Sequence, residues 1–174
     1  MAIAEIQPER KLQVPRKICF VLSLRSSGAS SPPKKQLINQ PTIEYAQARR
    51  AIDKIAGEVL RRGKAAVIAI ADAHGELIVF ARLDGAPLSS IAIATNKAWS
   101  AARERKPTRE IGQAARHPEK GFDIGYFGDP KFTGWGGGVP VWNEGKVIGS
   151  VAVSGLPQDE DIELANLGAA SILD

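Results

Sequence analysis

The stretch "KAAVIAIAD", Lys64 to Asp72, limits the fold more than any other part of the chain. Every residue from Ala65 to Ala71 is apolar, so a strand built from them presents apolar side chains on both faces and requires cover on both sides of its sheet. After "DAHG" comes a second β-rich run, "ELIVFARL". Two such runs separated by turn-forming residues predict a hairpin.

Helical periodicity supplies the cover. Ile52, Ile55, Ala56, Val59 and Leu60 follow the i, i+3, i+4, i+7, i+8 stripe, with Thr42 as cap, Glu44 in the positive first turn and Gly63 as the stop; a helix over 42 to 62 is predicted. After "DGAPLSS", Ser89 or Ser90 is expected to cap a helix through "IAIATNKAWSAARERK", which Pro107 ends, and Thr108 to cap a short helix through Arg116. "VPVW" and "KVIGSVAVS", joined by Asn143, Glu144 and Gly145, predict a second hairpin. The acidic cluster Asp159, Glu160, Asp161 opens a closing helix at the end where the helix dipole favours anions. The order α, β-hairpin, α, short α, β-hairpin, α predicts an α+β fold: a central antiparallel sheet of two hairpins flanked by helices. With 174 residues, 44% hydrophobic and 24% charged, the chain fits one soluble globular domain.

That domain is expected over 41–174, behind a flexible basic extension at 1–40 marked by the Ser/Pro/Lys stretch "SLRSSGASSPPKKQ". The net charge of +4 resides in the extension: residues 1–40 hold seven Lys/Arg and two Glu, whereas the other 134 hold 16 basic and 17 acidic side chains. No basic stripe follows, which argues against a nucleic-acid partner. "RKICFVLSL" has the order of a secretory leader, but its apolar run, Ile18 to Leu24, includes Ser23 and lacks a small-x-small cleavage site. Cytoplasmic location is the expectation, with export the alternative if residues 1–30 act as a leader. No stretch approaches the ~20 apolar residues of a membrane span, so no membrane partner is expected.

Common chemistries are missing from the motifs. Cys19 is the single cysteine, and His74 and His117 are the only histidines, with no H-x-x-x-H spacing; neither a disulfide nor a metal site is expected. G-x-S-x-G and the P-loop are absent, and "GWGGGV" fails the dinucleotide fingerprint because Val139 replaces the last glycine. What remains is "FTGWGGGVPV" at 132–141, where Gly136, Gly137 and Gly138 imply that bare backbone is needed. Arg82, Asp84 and Gly85 leave the second strand, Lys97 lies on the second helix, and Tyr126, Asp129, Phe132 and Trp135 crowd the loop before the glycines. These are the candidate ligand-binding residues, since binding groups concentrate on loops borne by a rigid sheet. Pro140 lacks an amide donor and predicts an edge or a bulge in its strand.

The segments "VIAIADAHGELIVFARLDGAPLSSIAIATNKAWSAA", "GGGVPV" and "GKVIGSVAVSG", followed by an acidic helix start, carry D-x-x-G, R-x-D-G-A, N-K-A, G-G-G-V-P and V-S-G in order. In this the chain resembles the GlcG/HbpS family, which includes the C-terminal domain of PduO-type proteins, over about residues 42–172. The resemblance implies a small α/β fold, homo-oligomers from dimers to octameric rings, a haem or corrinoid-like ligand in several members, and catabolic operons. It also implies that Gly136 to Gly138 let a ligand or partner backbone approach the sheet edge. Haem-binding members tend to use a histidine of the first helix or near the closing one, and 42–62 and 159–174 have none. The stretch "RHPEKGFDIGYFGDPKFTGW" reads as an elaborated lid suited to a planar molecule.

Two classes of function follow. One is an oligomeric binding protein that holds haem, a corrinoid or another planar ligand beside Gly136 to Gly138. The other is a small cofactor-independent enzyme acting on an aromatic or carboxylate-bearing compound, with Asp84, Asp129 or His117 as acid/base and Lys97 or Arg82 holding a carboxylate. The two-sided apolar strand and the resemblance both predict a homo-oligomer.

Overall fold

The computed structural model describes residues 39–174. The extension and the leader-like run lie outside the described residues, apart from Asn39 and Gln40. The chain forms α1 (Tyr45–Arg61), β1 (Val67–Asp72), β2 (Leu77–Arg82), α2 (Ser89–Glu104), α3 (Thr108–Ala115), a short 3-10 helix (Ile124–Phe127), β3 (Gly138–Asn143), β4 (Lys146–Ser154) and α4 (Gln158–Leu173). This is the predicted order, and the class is α+β.

Both hairpins form and join through β1 and β4 into one antiparallel sheet of order β2-β1-β4-β3. The first turn is held by Asp72, whose Oδ1 accepts from the amides of His74 and Glu76. The second is a two-residue turn at Glu144 and Gly145, both at positive φ, a backbone twist that matches paired strands. Pro140 lies on the edge strand β3, just before a register shift at Val141/Trp142.

The alternation within β1 sets the layers. Ile68 and Ile70 face α1 and α4, joining Ile52, Ile55, Val59, Leu164 and Ile172 in the main core; full burial of such a side chain contributes about 1.5–3 kcal/mol. Val67, Ala69 and Ala71 face the other way, against Ala94 and Ala98 of α2. Both faces of β1 are therefore covered within one chain, which corrects the inference that its two-sided apolarity calls for a second copy. The start of α1 and the end of α4 meet where the Gln47 side-chain amide donates to the carbonyl of Ile172 (3.2 Å).

Three capping expectations need correction. Glu44, not Thr42, precedes α1, and its amide donates to the Gln47 side chain (2.9 Å). The residue before α2 is Leu88, and neither Ser89 nor Ser90 caps it. Pro107 precedes α3, while Thr108 lies inside the helix. A buried hydroxyl is free to serve a tertiary partner instead of its own helix, and Thr108 does so: its Oγ1 accepts from the Gly138 amide at 3.0 Å.

Candidate functional site

α2 and α4 lie on opposite faces of the sheet, and a buried ion pair joins them past its end. Lys97 is 2% exposed and Asp161 3%; Lys97 Nζ donates to Asp161 Oδ2 (2.8 Å) and to the carbonyl of Val153 (3.0 Å), and Asp161 Oδ1 accepts from the Leu156 amide (3.2 Å). Burial lowers the affinity of Lys97 for its proton and raises that of Asp161, each against their mutual hydrogen bond.

The glycine run lies against this pair. A Cβ on Gly137 would stand 2.7 Å from Asp161 Cβ and 2.8 Å from Lys97 Nζ, and φ there is +116°; on Gly138 it would meet the Lys97 carbonyl at 2.6 Å. On Gly136 it would meet Ile162 and Gln158 of α4 at 2.8–2.9 Å. Bare backbone is needed because the molecule's own helices press on the strand from both sides. Of the three, Gly136 borders open space.

That space is a cavity of about 490 Å³, within the range of small-molecule sites. Ser90, Ile93 and Lys97 line it from one face of α2, Gln158 and Asp161 from the first turn of α4, and Ser154, Gly155 and Leu156 from the connection between β4 and α4; Trp135 and Gly136 complete it. Trp135 is 60% exposed at its border. The lining thus mixes hydrogen-bond donors with the apolar surface of Ile93, Leu156 and the Trp135 indole.

Of the sequence-predicted site residues, Lys97, Trp135 and Gly136 line this cavity, with Gly137 and Gly138 directly behind it. Arg82 and Asp84 are exposed and not among its lining. Tyr126 is almost wholly exposed. Phe132 instead stacks edge-on against Trp99 (4.9 Å) and, through Phe127 and Phe122, forms an aromatic cluster on another face of α2. Asp129 is a turn residue that accepts from the Lys131 amide. His117 is exposed, its Nδ1 accepting from the amides of Glu119 and Lys120, and His74 is exposed in the β1–β2 turn.

Asp161, Ser90, Ser154 and Gln158 were not singled out from sequence. A signal existed for Asp161: with Leu164, Ala165, Gly168 and Ile172 it continues the buried stripe of α4, so its carboxylate faces inward and needs a cation. Lys97 stands likewise on the buried stripe of Ala94, Ala98 and Ala101.

The family model described as "Haem degrading protein HbpS-like" matches residues 43–170. A 15.0 kDa Citrobacter freundii protein from the dhaT-dhaS intergenic region is 32% identical over 124 residues, covering 71% of this chain and 87% of that protein. The corrinoid adenosyltransferase PduO of Citrobacter freundii is 31% identical over 106 residues, 61% of this chain but only 32% of PduO. Among solved structures, Klebsiella pneumoniae ORFY superposes with a TM-score of 0.73 at 30% identity, over 83% of this chain and 98% of that one. The order of elements, the four-stranded antiparallel sheet and the extent of these matches agree: the chain belongs to the HbpS-like family.

Proposed function

We propose that this chain is a small-molecule-binding protein that works as a homo-oligomer and holds a planar organic ligand in the cavity beside Gly136. The observation that carries the reading is the cavity itself, whose lining sets an indole and two aliphatic side chains among hydrogen-bond donors. Haem in the family's description and the corrinoid in the name of the PduO relative support a planar ligand. Among the described residues the lining holds no His, Cys, Met or Tyr, and Lys97 is bound to Asp161 and Val153, so these residues do not fit axial ligation of haem iron. A haem here would be held by its face and its carboxylates. Cytoplasmic residence belongs to the same reading.

Haemin and cobalamin titrations followed by tryptophan fluorescence test it, with Trp135→Phe separating Trp135 from Trp99 and Trp142. Saturable quenching that is lost in Trp135→Phe is expected from at least one of them, and His117→Ala should leave any Soret band unchanged. Unsaturable quenching by both would remove the cavity as the planar-ligand site. A second reading, acid/base catalysis on a carboxylate-bearing compound, is favoured by the buried Lys97–Asp161 pair. It retains Lys97 of the expected catalytic residues and replaces Asp84 and His117 with Asp161.

A further inference from the structure

Two serine hydroxyls on the cavity wall have no protein partner among the described residues. Ser90 and Ser154 are each 4% exposed, both line the cavity, and neither side chain has a hydrogen-bond partner among the described residues. Every other buried hydroxyl is engaged: Ser100 with Lys131 and Thr133, Thr108 with Gly138, Ser150 with Ala98, Ser171 with Gly168. Both side chains open onto the cavity, whereas Trp99 Nε1 is the one enclosed side-chain polar atom left unpaired among the described residues, so the two hydroxyls are free to bond whatever occupies the cavity. They flank one residue: Ser154 precedes Gly155, and a Cβ on Gly155 would lie 3.5 Å from Ser90 Oγ.

The neighbouring groups add donors and no free anion. An ammonium has three N–H groups, and Lys97 uses two, on Val153 and Asp161. Gln158 spends its carbonyl oxygen on the Gly136 amide, which leaves its NH₂. The nearby carboxylates are occupied: Asp161 through both oxygens, Asp159 by Arg109 and Glu160 by Lys64. Such a wall suits a group that only accepts hydrogen bonds. Since each cation is already matched by an acid, it suits a singly charged group better than a phosphate, which calls for surplus Arg or Lys.

We propose that Ser90, Ser154 and the free N–H of Lys97 form a carboxylate-binding subsite, which takes the acid group of an organic carboxylate whose apolar or aromatic body lies along Ile93, Leu156 and Trp135. This rests on the cavity being the ligand site. The carboxylate belongs either to a small organic acid or to the propionate of a porphyrin.

The test uses the full chain with benzoate as probe and benzamide as its uncharged counterpart, measured by calorimetry or ligand-observed NMR. Benzoate is expected to saturate and benzamide to bind at least about tenfold more weakly; Ser90→Ala and Ser154→Ala should each weaken benzoate roughly tenfold and leave benzamide unchanged. Neither variant should lower the melting temperature, because neither hydroxyl has a protein partner to lose. Displacement of benzoate by protoporphyrin IX but not by its dimethyl ester assigns the carboxylate to a propionate; displacement by neither assigns it to a small acid. Equal binding of benzoate and benzamide, or serine variants without effect, overturns the subsite while the cavity still stands as a ligand site. Absence of benzoate binding alongside saturable Trp135 quenching by haemin or cobalamin does the same. Absence of binding by every probe overturns both.

Discussion

Lys97 and Asp161 show what a single buried pair does to its surroundings. Removal of one partner leaves the other charge in a poorly hydrated place, at a cost of about 3–5 kcal/mol, whereas replacing both with apolar groups of similar size is often neutral. Chemical denaturation should therefore find Lys97→Met strongly destabilised and Lys97→Met/Asp161→Leu close to the parent; a double variant no better than the single one would refute the pairing as the cause. The pair was only half legible in the sequence. Lys97 stood out as a candidate ligand-binding residue, expected at the rim of a pocket and not in the core, and Asp161 was absorbed into a run of three acids that the helix dipole explained without it. The missing step was to lay each residue on its helical stripe, where both fall among alanines and leucines. Ser90 was legible only as a cap, because a serine at a helix start has a local use that sequence favours over a tertiary one.

At the scale of elements, sequence did better, since periodicity and turn residues are local. Both hairpins, their turns and the edge position of Pro140 follow from alternation, from Asn-Glu-Gly and from the missing amide. The packing of the lid-like stretch was less legible, because Phe132 stacks on Trp99, a residue remote in sequence, and Phe127 and Phe122 extend the cluster from it. The pairing of α1 with α4 was equally hidden. Glu58 binds Arg61 and Arg62, both at 2.7 Å, and Arg62 reaches Glu163 of α4 at 2.7 Å. Hydrogen bonds from the two arginines hold the Glu58 carboxyl well below its usual value, at about 2. A depressed carboxyl stabilises the fold above its unfolded value of 4.5, and that contribution is lost as pH falls through about 2. In acid titrations of thermal stability, Glu58→Gln should flatten the fall between those limits; an unchanged profile would show that the clamp contributes nothing.

For the molecule as a whole, every regular element of the described residues starts after Pro41, so residues 39–174 alone should melt in one cooperative transition. Exposed apolar side chains such as Leu60, Leu88 and Trp142 and the family resemblance support self-association. Light scattering of the 39–174 fragment at micromolar concentration should give a multiple of the monomer mass; a monomer would remove the homo-oligomer, and loss of the cooperative transition would show that the preceding residues belong to the fold.

The contact between Gln47 and Ile172 bears on how such a domain is built into longer chains. With the start of the first helix tied to the end of the last, a short linker from α4 back to α1 has little surface to cross. Joining the two helices in this way and opening the chain at the Glu144–Gly145 turn would keep the four strands and four α-helices of the described residues intact while changing only their order along the gene.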